Sequence, residues 1–497
     1  MSDAVANLDA GTVNLSLVSH TNAGKTTLVR TLIGQDVGEV RDAAHVTDLA
    51  TGYVMVQAGA ETLMLWDTPG FGDTGRLLKR LRLSGNPVGW LLTQVWDRLR
   101  ERPLWSSQQA VRNARDHADV ILYLVNAAED PASAAYVPLE MELLAWIGKP
   151  VVLLLNQMGP PRANASEEVE RWRTHLAPTG VVTGALPLDA FARCWVQEAT
   201  LLDTVRPLLS PLKQATLDRL AEGWRKRNIG RFHEAMRILA EPLAAAVTDR
   251  EPVAERNWQD KVGEVLGNLR KEAPAETRRA MGSLAERLEA GTRVSTEQLI
   301  HTHGLTGNAA REVLQRLRDD YTSSAPAKEG YSAMLGGLMS GAVGGLAADL
   351  AAGGLTLGGG MIVGGLLGAL GAGGLARGYN MARGEDEPAV RWSEEFVEQL
   401  VQSALLRYLA VAHFGRGRGD YAQGEHPAFW LAAVADVTRP QQSRLRAIWN
   451  NAGRDAIDGV AADMETLLTT CATELLSELY PAAVSLFNAD FRPPPRA

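Results

Sequence analysis

The stretch that most constrains this chain is residues 15–27, Leu-Ser-Leu-Val-Ser-His-Thr-Asn-Ala-Gly-Lys-Thr-Thr. An apolar run suited to a strand leads into Gly24, Lys25, Thr26 and Thr27, and residues 28–33 then place apolar side chains at helical spacing. A strand that turns into a helix through Gly-Lys-Thr gathers a curl of backbone N–H groups and a helix N-terminus at one point, and both attract a polyphosphate. In such a loop Lys25 reaches the β- and γ-phosphates and the Thr26 hydroxyl holds Mg2+. Ser19 stands where the G-x-x-x-x-G-K-[ST] pattern has its first glycine, a departure that a small residue accommodates. Gly-Lys-Thr alone also occurs by chance on surface turns; the strand before it and the helix after it favour the nucleotide site.

Residues 53–57 and 61–67 read as a hairpin whose second strand ends in Asp67-Thr68-Pro69-Gly70. A carboxylate at a strand end beside a phosphate loop is placed to hold Mg2+ through water, and Gly70 lets a backbone N–H approach a γ-phosphate. Residues 119–126 and 150–156 are continuous apolar runs, the pattern of parallel strands covered on both faces. Residues 181–188 read as a weaker last strand and 201–209 as a closing helix before Pro211. The alternation predicts an α/β domain with a mostly parallel sheet over residues 1–210, carrying a helical insertion at 73–117. That insertion is basic at first and contains Trp90, Trp96 and Trp105. Such a stripe either docks on a membrane or an effector or packs on its own domain, and packing is the expectation.

The phosphate loop and the Asp67–Gly70 motif together resemble the Era and TrmE branch of P-loop GTPases, within the TRAFAC class. The resemblance covers residues 1–210 and implies GTP and Mg2+ as ligands and GTP hydrolysis as the activity. By motif it implies that Asn22, Ala23, Gly24, Lys25, Thr26 and Thr27 embrace the phosphates. It also implies that Thr26 and Asp67 serve Mg2+ together with Thr47, or with Thr51 as the fallback, and that Gly70 meets the γ-phosphate. Asn22 matches the asparagine with which the TrmE-like branch helps to bind K+, which implies hydrolysis that is slow alone and faster in K+ than in Na+. The branch reads guanine with Asn-Lys-x-Asp, whereas this chain has Asn156-Gln157-Met158-Gly159, without the carboxylate that would accept two hydrogen bonds from the base. Leu188-Asp189-Ala190-Phe191 replaces the next motif. Asp189, with Ala190 beside it, is either a substitute carboxylate at the base or the cap of the following helix. Phe71 occupies the place of a water-orienting glutamine.

From Pro211 the periodicity is helical, over 211–330 and again over 384–490, with residues 491–497 a proline-rich tail expected to be disordered. Between them lies 331–383, a glycine-rich apolar segment; across 334–376 the only charge is Asp349 and glycines recur four apart. This predicts a helical hairpin with small-residue faces, either associated with a bilayer or buried in the helical domain, and conditional membrane association is the expectation. His301 and His303 have no cysteine or carboxylate cluster nearby in sequence and read as a turn. A net charge of -8 argues against nucleic acid as a partner, and two cysteines, Cys194 and Cys471, suit a reducing compartment. No charged-then-apolar leader opens the chain. The expectation is a cytoplasmic GTPase, peripheral at the membrane through 334–376, whose nucleotide state switches its helical half toward a protein effector, with a nucleotide-dependent dimer as a further partner. The alternative is a degenerate nucleotide-binding scaffold with little turnover that organises a protein partner, favoured by Ser19, Phe71, Gly159 and Asp189.

Overall fold

The computed structural model describes residues 11–34, 49–72, 74–82, 84–93, 101–158, 165–190, 194–252, 275–305, 379–383, 388–414, 428–452 and 456–488. Thr47, Trp96, Gly159, Phe191, the glycine-rich stretch 334–376 and the tail 491–497 lie outside them. Contacts divide the chain into two compact units, one made of Met1–Ile229, His413–Gly424 and Tyr480–Phe491, the other of Gly230–Ala412, Glu425–Leu479 and Arg492–Ala497.

The first unit is built on β1 (Thr12–Ser19), α1 (Lys25–Ile33), β2 (Thr51–Ala58), β3 (Glu61–Asp67), α2 (Thr74–Leu81), α3 (Pro87–Thr93) and α4 (Arg102–Asp116). It continues through β4 (Val120–Asn126), α5 (Tyr136–Ile147), β5 (Val151–Asn156), α6 (Ala165–Leu176), β6 (Val182–Pro187) and α7 (Trp195–Val205). The strands form one sheet in the order β2-β3-β1-β4-β5-β6, parallel except for β2, which runs antiparallel to β3. The apolar runs in β4 and β5 are buried along their length because helices cover both faces. Leu17 pairs with Asp67, Ser19 with Leu124 and Asn126 with Asn156, so the C-terminal ends of the central strands share one edge. In open α/β sheets that edge is where ligands bind.

The 73–117 segment supplies α2, α3 and α4, whose Leu77, Leu78, Leu81, Leu91, Leu104 and Val111 are buried in the core of this unit, with Trp90 packed against it. Helix α8 (Pro211–Thr248) begins in the first unit and ends in the second, 38 residues without interruption. In its first turn Lys213 pairs with Asp119 at 2.8 Å, and Arg219 pairs with Glu61 at the β2–β3 turn at 2.5 Å. In the sequence this helix reads as residues 212–239, stopping short of Pro242. The structure carries it past Pro242, because a proline removes one backbone donor while Leu243, Ala244, Ala246 and Val247 keep the buried face continuous.

The second unit is mainly helical. It holds β7 (Glu251–Pro252), α9 (Ala275–Thr302), β8 (Tyr379–Arg383), β9 (Pro388–Trp392), α10 (Glu394–Ala412), α11 (Ala428–Thr438), α12 (Gln442–Asn451) and α13 (Ile457–Leu479); α14 (Ser485–Asn488) follows α13 in the chain and lies in the first unit, where its Phe487 meets Trp195 edge-on at 6.1 Å. The small sheet β7-β9-β8 was not expected from the sequence, whose helical reading over 384–490 includes Trp392. Trp392 instead ends a strand, and the helix starts after Ser393, whose Oγ accepts the Phe396 N–H at 3.2 Å as an N-cap. Arg407 of α10 is buried and donates to Thr292 O, Ser295 Oγ and Thr296 Oγ1 of α9 at 3.2, 3.0 and 2.9 Å, a polar seam within the helical core. His301 lies in the last turn of α9 and His303 in the turn beyond, its Nδ1 at 2.9 Å from Leu299 O. Among the described residues no helix is long and apolar enough to cross a membrane, and no group of three or more His, Cys, Asp and Glu side chains converges on one point.

Candidate nucleotide site

β1 leaves the sheet at Ser19, and the loop that follows is stitched to the segment after Asp67. Phe71 N–H donates to Ser19 O at 2.9 Å, Thr21 N–H donates to Phe71 O at 3.2 Å, and His20 forms a parallel bridge with Phe71. Gly70 sits so close to this loop that a Cβ on it would lie 2.8 Å from Thr21 Cα. The loop then turns through Asn22 at φ 64° and Gly24 at φ 90° into α1, and no side chain caps that helix. Its first N–H groups are therefore directed at whatever occupies the loop.

Lys25 opens α1 and is only 7% exposed. Its Nζ donates to Ser19 Oγ at 2.8 Å and to His20 O at 3.4 Å. Burial pushes its pKa down from 10.5 to about 8, against the opposing pull of Asp67 and Glu140. A cation held so dry gains strongly from an incoming phosphate. Beside it Thr26 Oγ1 donates to Asp67 Oδ2 at 2.7 Å, which brings a hydroxyl and a carboxylate to one point at the sheet edge. Mg2+ in nucleotide sites takes one or two protein oxygens and leaves its other positions to water and phosphate, so this pair fits it. Thr51 stands opposite Asp67 in the β2–β3 register and is exposed. Thr27 is buried inside α1.

The third wall is β5. Asn156 Nδ2 donates to Ala23 O and its Oδ1 accepts the Ala190 N–H, both at 2.9 Å, while Thr31 Oγ1 donates to Ala190 O at 2.8 Å. One amide thus joins the phosphate loop to the loop after β6, where Asp189 is 3% exposed. Gln157, next in the chain, has φ 60°; it and Asn22 are the two non-glycine residues with positive φ among the described residues. Left-handed backbone outside glycine is uncommon, and both instances fall on the loops of this site. Phe71 is fully buried, so its ring is part of the core and cannot orient a water molecule.

The structure therefore brings Asn22, Ala23, Gly24, Lys25, Thr26, Asp67, Gly70, Asn156 and Ala190 to one sheet edge through these contacts, with Gln157 and Asp189 adjoining Asn156 and Ala190 in the chain. Sequence reading treated Ser19 as a tolerated glycine substitute and missed that its hydroxyl receives Lys25. The signal was available: a hydroxyl at the first loop position can accept from the ammonium, which a glycine side chain cannot.

Residues 185–464, more than half of the chain, match the family described as "Domain of unknown function (DUF3482)". Residues 14–157 match the family described as "50S ribosome-binding GTPase". Among solved structures, an Era variant from Aquifex aeolicus bound to GDP and AlF4- is 19% identical with a TM-score of 0.29, covering 40% of this chain and 57% of that chain. Era in complex with MgGDPNP and a segment of 16S ribosomal RNA is 20% identical with a TM-score of 0.29, again covering 40% and 57%. An NFeoB variant from S. thermophilus bound to GDP and AlF4- is 14% identical with a TM-score of 0.24, covering 57% of this chain and 91% of that one. The chain thus spans little more than half the length of the Era structures it matches. A search of the curated proteins finds no match.

Proposed function

The chain belongs to the family of the domain of unknown function DUF3482, and on that premise we propose that its N-terminal P-loop GTPase domain hydrolyses GTP and uses the nucleotide state to switch the helical half. The observation that supports this most is the convergence of a dry Lys25, the Thr26–Asp67 pair and the Asn156 bridge at the C-terminal edge of one parallel sheet. Thr26 and Asp67 would hold Mg2+, which supplies positive charge at the β- and γ-phosphate oxygens. Lys25 neutralises the same oxygens from the loop side. Water attacks the γ-phosphorus, the bond to the β–γ bridging oxygen breaks, and GDP and phosphate leave.

The position that would orient that water is occupied by Phe71, fully buried, which supports slow basal turnover. Asn22, exposed and left-handed, is the residue proposed to help hold K+ beside the developing charge. Phosphate release is expected to exceed that of Lys25→Ala with GTP, to be weaker with ATP, and to be faster in K+ than in Na+. Nucleotide binding without release above the Lys25→Ala control would leave the scaffold reading, which the buried Phe71 also supports. The output is proposed to be a protein effector or a membrane surface met through 334–376 on the cytoplasmic side, and GTPase domains paired in a nucleotide-dependent dimer.

Base selection is proposed to rest on Asp189. It lies next to Ala190, whose N–H is held by Asn156, and a carboxylate there can accept from the guanine N1 and N2 groups that Gly159 cannot reach. Asp189→Asn is expected to shift competition binding from GTP toward XTP by about tenfold or more, since xanthine presents an acceptor where guanine presents a donor. Unchanged preference would leave Asp189 a buried residue without a role at the base.

A further inference from the structure

One fully buried carboxylate touches the phosphate loop without belonging to any motif the sequence singles out. Glu140, in the second turn of α5, has no exposed surface. An ionised carboxyl taken out of water is costly unless its oxygens are filled by donors, and here they are. Oε1 accepts from His20 Nδ1 at 2.7 Å and from Thr74 Oγ1 at 3.2 Å; Oε2 accepts from the Tyr123 hydroxyl at 2.5 Å.

The donors come from different elements with different duties. Tyr123 is in the middle of β4, fully buried and fixed by the sheet. His20 belongs to the phosphate loop, five residues before Lys25, and its ring stacks on Tyr136 of α5 at 4.3 Å. Thr74 opens α2, two residues beyond Gly72, with its N–H donating to Gly72 O at 2.7 Å. The backbone bonds between Ser19, Thr21 and Phe71 join the same two segments from the other side. Gly72 leaves little freedom to move independently, because a Cβ on it would lie 2.4 Å from Pro103. A single carboxylate oxygen is therefore shared between the loop that would cradle the phosphates and the segment that would meet the γ-phosphate.

We propose that Glu140 is a positioning residue for hydrolysis: anchored by Tyr123, it ties His20 of the phosphate loop to Thr74 after Gly70, so that the γ-phosphate-facing segment keeps its place relative to the loop. This rests on the GTPase reading above. Diphosphate binding uses the loop and α1, held by Lys25, Gly24 and Asn156, and Glu140 reaches it only indirectly, through His20 and through its pull on the buried Lys25 ammonium. The step that needs Gly70 in register is the one that Glu140 governs.

The test is single-turnover hydrolysis beside GDP affinity in the full chain. Glu140→Gln, which keeps the shape but offers an amide where an acceptor is needed, is expected to slow hydrolysis by about tenfold, the scale of one hydrogen bond to a buried charge, with GDP affinity within about threefold of the parent. Thr74→Val removes the bond to Glu140 together with the hydroxyl's bond to Gly72 O at 3.1 Å and is expected to give the same pattern, with Thr74→Ser restoring the rate; this pair carries the test if Glu140→Gln fails to fold. Loss of GDP affinity in proportion to the rate would make Glu140 a support of the loop alone and overturn the proposal, as would unchanged hydrolysis in both variants. No turnover by the parent chain overturns the GTPase reading and the proposal with it, whereas parent turnover that the variants match overturns the proposal only.

Discussion

A Lys25→Met variant is expected to be more stable than the parent in the absence of nucleotide while losing its nucleotide affinity. Burial lowers the Lys25 pKa from 10.5 to about 8, a difference that corresponds to about 3 kcal/mol of unfavourable free energy for keeping the ammonium charged at neutral pH in the folded chain. Methionine fills similar volume without charge, and the group it abandons, Ser19 Oγ, still donates to His20 O at 2.6 Å. A gain of about 1 to 3 kcal/mol in unfolding free energy at pH 7 is the expected size. The pH dependence has a definite sign. The unfolded chain binds the Lys25 proton up to about pH 10.5 and the folded chain only to about 8, so between those values the unfolded state holds more protons and parental stability rises with pH on this group's account. Lys25→Met removes that rise. Nucleotide affinity runs the other way, since phosphates demand the charged form; above pH 8 binding must take up a proton and weakens by about tenfold per unit. Losing a charged donor to phosphate is expected to lower affinity by about a hundredfold. Denaturant unfolding at pH 7 and 10, with fluorescent nucleotide titrations alongside, measures all of this. A methionine variant less stable than the parent at pH 7 would mean that the bonds of the Lys25 ammonium to Ser19 Oγ and His20 O outweigh the cost of burying it.

The parts of the site that were legible in the sequence are those that short range determines. Gly24, Lys25 and Thr26 could be read because the strand before them and the helix after them announce themselves by period, and Asp67 because it closes an alternating strand beside a turn. β4 and β5 were legible as apolar runs for the same reason. What escaped depends on partners distant in the chain. The two bonds of Asn156 reach Ala23 and Ala190, the carboxylate of Glu140 reaches His20, and neither pairing leaves a trace in local periodicity. The small sheet was missed because β7 has two residues and β8 and β9 five each, too few for alternation to stand out from the surrounding helical pattern. Left-handed Gln157 was invisible because a glutamine carries no conformational signal of its own.

Gly24→Ala is expected to lower nucleotide affinity by a hundredfold or more, whereas Gly34→Ala, at the other end of the same helix, leaves it within a few fold. Both glycines have left-handed backbone, φ 90° and φ 69°, so alanine is strained at either by about 1 to 2 kcal/mol. At Gly34 the added Cβ meets nothing within 4 Å, and strain at the end of α1 is the whole effect. At Gly24 it would lie 2.6 Å from Asn156 Nδ2, a separation that atoms do not sustain. Asn156 must withdraw, and with it go the bonds to Ala23 O and from Ala190 N–H, leaving buried backbone groups unsatisfied at about 1 to 3 kcal/mol each. The difference between the two variants therefore isolates the Asn156 bridge from backbone strain, and thermal melts of the nucleotide-free proteins separate loss of fold from loss of site. Asn156→Ala in the Gly24→Ala background adds little further loss, because one contact removed twice is removed once. Equal loss from Gly24→Ala and Gly34→Ala would instead place the effect in the helix as a whole, and the loop after β6 would have no part in holding the nucleotide.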